Sequence, residues 1–88
     1  MIELLSQLPR VVGAKETRRA IDAGRAKAVF LARDADPALT EPIAQKARAA
    51  GLATLSDFTM AQLGSACGIA VGASVAAALE GETPQGTA

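Results

Sequence analysis

Catalysis or metal binding needs side chains that carry a proton, hold an ion or attack a bond, and few positions in this chain qualify. There is no histidine, which removes both the commonest general base and the commonest metal ligand. Cys67 is the single cysteine. It cannot form an internal disulfide, and as a nucleophile it would need a neighbouring base to become a thiolate. Without an imidazole, the expected role of Cys67 is that of a small buried apolar residue. Asp34 and Asp36 could act as paired carboxylates in acid–base or metal chemistry, but followed by Pro37 they are better explained as a turn that caps the next helix. Gly13-Ala14-Lys15-Glu16 enters a helix from a short extended segment, and free amides at a helix start attract phosphate. It lacks the Gly-x-x-x-x-Gly-Lys-[Ser/Thr] spacing of a nucleotide-cradling loop, and one glycine can simply serve a tight turn. No catalytic residue, metal site or cofactor is expected, and a hydrolase or transferase working through Cys67 ranks last among the functions considered.

The elements that must position these residues follow from the apolar pattern. The 88 residues suit one domain, and a hydrophobic content of 50% supports a packed core. Aromatic residues make up only 2%, so Ala, Val, Leu and Ile must fill that core. The scatter of apolar residues from Met1 to Leu8 predicts a short helix closed by Pro9. Val11 and Val12 form a short strand leading to Gly13, and Thr17, Ala20 and Ile21 define the buried face of a helix over Lys15–Ala23, basic on its outer side. Ala28–Ala32 is an unbroken apolar run, as in a strand covered on both faces. A helix over Thr40–Ala50 buries Ile43, Ala44 and Ala47, a strand over 52–55 follows, and Ser56 or Asp57 is expected to cap a helix over Thr59–Ala66. Ala73–Leu79 favours helix by alanine content, but the strand–helix rhythm before it argues for a final strand. The domain is expected to span 1–79. Residues 80–88, with two glycines, a proline and almost nothing apolar, are expected to form a flexible C-terminal tail.

Phe58–Leu79 contains no charged residue, and Gly64, Gly68 and Gly72 repeat at the spacing that lets membrane helices approach closely. Gln62, Thr59, Ser65 and Ser74, an alanine-rich rather than leucine-rich composition, and acids (Asp57, Glu80) at both ends argue against a span. No membrane partner is expected. The opening Met-Ile-Glu-Leu-Leu carries an acid where an export signal would carry a base, so a reducing cytoplasmic location is the expectation.

Charge narrows the partners. Nine Lys+Arg balance nine Asp+Glu, for a formal net charge of +0, which weakens any global electrostatic argument for nucleic-acid binding. The distribution is uneven, however. Arg10, Lys15, Arg18, Arg19, Arg25, Lys27 and Arg33 crowd the first part of the chain, the last positive charge is Arg48, and Glu80 and Glu82 leave the end acidic. An anionic partner should meet the N-terminal half.

Three segments in order, Gly13-Ala14-Lys15-Glu16-Thr17-Arg18-Arg19-Ala20, Ala32-Arg33-Asp34-Ala35-Asp36-Pro37 and Leu63-Gly64-Ser65-Ala66-Cys67-Gly68-Ile69-Ala70-Val71-Gly72-Ala73, closely resemble the ribosomal protein L7Ae/L30e family, and in particular its small bacterial members. The resemblance covers roughly Leu4 to Leu79. It implies an L30e-like α/β fold, a three-layer α/β/α sandwich with a mixed four-stranded sheet. It also implies a monomeric, non-enzymatic protein that binds kink-turn RNA, in which tandem sheared G·A pairs follow a short bulge and the helix axis folds sharply. The RNA would be ribosomal RNA, making the ribosome a partner, or a structured regulatory leader.

By the same resemblance, Gly13 and Ala14 lead into the contact helix, and Lys15, Glu16 and Arg19 occupy the family's major-groove positions. Glu16 would accept from a guanine edge, and Lys15 and Arg19 would donate to base edges or phosphate. Ile69, Ala70 and Val71 match the loop that packs against the extruded bulge nucleotide, with Asp36 near the same base. Regular A-form RNA hides its major groove, whereas a kink widens it, so shape becomes a selector. The chain departs from the family pattern at Met60, where a lysine is frequent, and at Gly72, where a proline is frequent. Several archaeal members have asparagine in place of Lys15. These departures bear on affinity more than on fold, and Gly72 is expected to loosen the bulge loop. The alternative reading is a protein-interaction module of the same fold with weakened RNA binding.

Overall fold

The computed structural model describes residues 2–80, so the tail expected over 80–88 lies, apart from Glu80, outside the described residues. The elements are α1 (Leu4–Gln7), β1 (Arg10–Val12), α2 (Ala14–Asp22), β2 (Ala26–Leu31), α3 (Pro37–Ala49), β3 (Ala53–Leu55), α4 (Met60–Ala66) and β4 (Val75–Leu79). The four strands form one sheet in the order β1-β4-β2-β3. β4 is antiparallel to both β1 and β2, and β2 is parallel to β3. The expected mixed four-stranded sheet is present, and the final alanine-rich segment is a strand. Its neighbours on both sides supply ladder hydrogen bonds that override the helix preference of alanine.

Two apolar clusters lie on the two faces of the sheet. On one face Ala20 and Ile21 of α2 and Ile43, Ala44 and Ala47 of α3 pack on Val29, Leu31, Val75, Ala77 and Leu79. On the other, Leu5 of α1 and Leu63 and Cys67 near α4 pack on Ala28, Phe30, Ala76 and Ala78. The result is the three-layer α/β/α sandwich. Every residue of β4 is buried, and the small Ala76–Ala78 side chains let both helical layers approach the sheet closely.

Three local departures from the sequence expectation have identifiable causes. β2 begins at Ala26, two residues early, because Lys27 is an extra residue between the Ala26↔Leu79 and Ala28↔Ala78 pairs. This bulge shifts the alternation, so Ala26 joins the α2/α3 face while Ala28 joins the opposite one. Helix α3 begins at Pro37 rather than Thr40, with the Asp36 side chain accepting from the Ala38 amide at 3.0 Å. A proline in the first turn lacks an N–H that would go unpaired there anyway. Helix α4 is capped by Thr59, not by Ser56 or Asp57. Thr59 Oγ1 accepts from the Gln62 amide at 3.2 Å, and Gln62 Oε1 accepts from the Thr59 amide at 2.8 Å, a reciprocal capping box.

Candidate nucleic-acid interface

Strand direction gathers the candidate residues at one end of the sheet. β1 runs out into Gly13, whose amide donates to Val75 O at 2.8 Å at the start of β4. β2 ends beside the same residue, with Leu31 opposite Val75, and the Ala32 amide donates to Ser74 O at 2.8 Å. β3 is parallel to β2, with Leu55 opposite Phe30, so it finishes at this end too, where the Arg33 amide donates to Phe58 O at 2.9 Å. The β1–α2, β2–α3, β3–α4 and α4–β4 connections therefore converge, bringing the three sequence segments to one place.

The charged part of this end is the start of α2. Gly13 has φ of 100°, a left-handed conformation that costs other residues steric strain. It serves as N-cap with no side chain accepting from the first helical amides, so those amides and the positive end of the helix remain available to an anion. Thr17, Ala20 and Ile21 are buried. Lys15, Glu16, Arg18 and Arg19 consequently project outward and are exposed. Arg19 Nη1 lies 3.8 Å from Glu16 Oε2, with side-chain exposures of 67% and 51%. An ion pair this exposed contributes little to stability, so either partner can exchange it for a base or phosphate.

The apolar part is the Gly68–Ser74 connection. Val71 is 70% exposed and Ile69 37% exposed, and Ala70 is exposed between them. The chain leaves α4 through Gly68, at φ 78°, and doubles back along the helix. The Ile69 amide donates to Gly64 O, and the Ala73 amide to Met60 O, both at 3.0 Å. A Cβ on Gly64 would collide with the Val71 carbonyl oxygen, and a Cβ on Gly72 would stand 3.1 Å from Met60 Cβ. The glycine spacing thus serves a loop laid directly on its own helix rather than a contact between membrane helices. Among the described residues no helix is long and apolar enough to cross a membrane. Gly72 is absent from the positive-φ glycines, and its missing side chain leaves room for close approach to Met60.

Asp34 and Asp36 do not work as a carboxylate pair. Asp36 is exposed and caps α3, while Asp34 Oδ1 accepts from the Met60 amide at 2.8 Å, at the start of α4. Asp36 is at the same end as Ile69–Val71, since both segments adjoin the Leu31–Val75 pair. Sequence reasoning missed the residues that tie the loops to one another. Arg33 Nη1 donates to Asp57 O at 3.1 Å, Phe58 packs on Phe30 with ring centroids 6.3 Å apart, and Arg10 donates from Nε and Nη2 to Cys67 O at 3.1 and 2.8 Å. The Thr-x-x-Gln pattern at 59–62 was the one local signal available for any of this.

Cys67 is 3% exposed. Burial pushes its thiol pKa up, against a smaller opposing effect of the nearby Arg10 charge. That is the reverse of what a nucleophilic thiolate requires. Among the described residues no group of three or more acidic, cysteine or histidine side chains could hold a metal ion.

Comparison with known proteins agrees with this architecture. Residues 7–85 match the ribosomal protein L7Ae/L30e/S12e/Gadd45 family. An RNA-binding protein of Bacillus pumilus (strain SAFR-032) is 40% identical over 67 residues, covering 76% of this chain and 82% of the relative. The RNA-binding protein YbxF of Geobacillus stearothermophilus is 39% identical over 69 residues, covering 78% and 84%. Among solved structures, the 15.5kD RNA binding protein of Giardia lamblia superposes with a TM-score of 0.81 at 25% identity, over 90% of this chain and 70% of that one. A protein with unknown function from Bacillus halodurans shares the fold, with a TM-score of 0.78 at 19% identity over 90% and 83%. The family match spans nearly the whole domain, and the relatives align over most of their own length. The chain therefore belongs to the ribosomal protein L7Ae/L30e/S12e/Gadd45 family.

Proposed function

We propose that this protein binds RNA, and specifically a kink-turn, through the loop end of its sheet and without catalysing a reaction. The observation that carries the reading is the joining, at one end of the fold, of an exposed charged helix start to an exposed apolar loop. The helix start, with Lys15, Glu16 and Arg19 beyond Gly13 and Ala14, suits a widened groove with guanine edges and phosphates. The loop, with Ile69, Ala70 and Val71 and Asp36 nearby, suits an unstacked base that offers an apolar face and a polar edge. A regular duplex presents no such base. The RNA-binding names of the relatives support the same partner class.

A neutral chain is compatible with this reading because the contacts are local. Arg10 is engaged with Cys67 O, and Lys46 with Asp22 at 2.7 Å. Lys15, Arg18 and Arg19 are the exposed cations of α2, enough for a few phosphates and too few for strong nonspecific binding. The natural target on this reading is ribosomal RNA or a structured leader, bound by one copy of the chain in the cytoplasm. Titration with a kink-turn RNA beside a straight duplex of matched length and composition tests it. Clear preference for the kink-turn is the expected result, and equal affinity would refute it.

A further inference from the structure

An exposed loop without regular structure normally samples many conformations, and ordering it on binding costs affinity. The Gly68–Ser74 loop instead lies on a helix whose two ends each meet a charged side chain from elsewhere in the fold. α4 has no acid in its first turn and no base in its last. Its positive end receives Asp34, from the loop after β2, whose Oδ1 accepts from the Met60 amide at 2.8 Å. Its negative end receives Arg10, from edge strand β1, whose guanidinium donates twice to Cys67 O. Each charge has the sign that the helix terminus favours.

The two contacts also bracket the loop. Cys67 immediately precedes the Gly68 turn. Met60 holds the far end, since its carbonyl accepts from the Ala73 amide at 3.0 Å, its Cβ abuts Gly72 and its sulfur faces Ser74 Oγ at 3.6 Å. We propose that Arg10 and Asp34 are positioning residues that hold Ile69–Val71 in the shape that receives an extruded nucleotide, and that neither acts by touching RNA. This inference rests on the kink-turn reading above.

The test compares wild type with Asp34→Ala, Asp34→Asn, Arg10→Met and Arg10→Lys on three RNAs: a kink-turn, the same kink-turn abasic at the extruded nucleotide, and a straight duplex. Wild type is expected to bind the intact kink-turn roughly tenfold more tightly than the abasic one, within the range that stacking of one base supplies. Asp34→Ala and Arg10→Met should bring that ratio to parity while leaving affinity for the abasic RNA near that of wild type. Asp34→Asn, which keeps an oxygen acceptor for the Met60 amide, should restore most of the ratio. Arg10→Lys, with one donor group in place of two, should restore part. Should either truncation prevent folding, Arg10→Lys carries the comparison, with a ratio between parity and that of wild type expected. An undiminished ratio in folded Asp34→Ala, Arg10→Met or Arg10→Lys, or equal losses on intact and abasic RNA, would overturn the positioning role. Wild type binding the kink-turn and the straight duplex alike would overturn the kink-turn reading itself, and this inference with it.

Discussion

The start of α2 and the Gly68–Ser74 loop share one end of the sheet, yet they reach their exposed positions by opposite routes. Lys15, Glu16 and Arg19 project from a regular helix whose other face, Thr17, Ala20 and Ile21, is anchored in the core. Their placement follows from helical periodicity, and substituting them leaves the scaffold untouched. Ile69, Ala70 and Val71 sit on irregular backbone whose path is set by close approach to Gly64 and Met60. The charged half can therefore be altered at its own side chains without cost to the fold, whereas the path of the apolar half depends on Gly64, Gly72 and Met60 beneath it. A salt-sensitive charged surface and a salt-insensitive apolar one can also be tuned independently, which is useful for a protein with a formal net charge of +0.

Salt separates the two halves most strongly. If about three or four phosphates are engaged, at roughly 0.7 to 0.9 ions released per contact, kink-turn affinity should fall by about three orders of magnitude per tenfold rise in salt. Preference for the kink-turn over straight duplex should persist, because the apolar loop and Glu16 do not depend on counterion release. A binding series over salt with both RNAs measures this, and a slope near about 8 would indicate a broad electrostatic binder instead.

Gly64→Ala attacks the apolar half through the scaffold. The new methyl group meets the Val71 carbonyl oxygen, so the loop must lift from α4, with an expected stability loss of about 1 to 3 kcal/mol. Kink-turn affinity should fall with it. Denaturant melts and gel shifts on one protein sample check both effects, and an unchanged melt would mean the loop is not seated on α4 as described.

Glu16→Ala and Arg19→Ala attack the charged half. Each should weaken kink-turn binding by about 1 to 3 kcal/mol if it makes a direct base contact. Unfolding midpoints should barely move, because both side chains are exposed and their mutual ion pair is weak. Affinities within error of wild type for both variants would remove α2 from the interface.

The smallest effect on binding is expected beneath the loop. Cys67→Ser should leave RNA affinity unchanged but lower stability by about 1 to 3 kcal/mol, since a buried hydroxyl needs a partner that the thiol does not. The raised pKa of the folded thiol has a definite sign. Its stabilising contribution is complete below the pKa of the unfolded thiol, then declines as pH rises toward the folded pKa, because the unfolded chain releases the proton first. Melts of wild type and Cys67→Ser from neutral to alkaline pH should therefore converge in this component. Rapid labelling of Cys67 by a thiol reagent in the native protein would contradict its burial.

The sequence alone determined whatever depends on spacing within one element. The triplets Thr17/Ala20/Ile21 and Ile43/Ala44/Ala47 marked the buried faces of α2 and α3, and the apolar run at 28–32 marked most of β2, one of the two inner strands, because periodic burial is written directly into residue order. The basic outer face of α2 was legible for the same reason, as the side opposite the buried one, but the choice of Lys15, Glu16 and Arg19 as candidate contacts came from the resemblance to the L7Ae/L30e family. Residues joined by tertiary contact were not legible in this way. Nothing near Lys27 in the sequence announces a bulge, nothing near Arg10 points to Cys67 O, and Asp34 looked like half of a turn until the fold brought it to the Met60 amide. Gly64 and Gly72 read as a small-residue stripe, and only the return of the chain over α4 shows what their missing side chains make room for. Local pattern fixes which way a side chain faces. Which distant backbone group it meets is decided by strand order and helix placement, which arise from the packing of the whole chain.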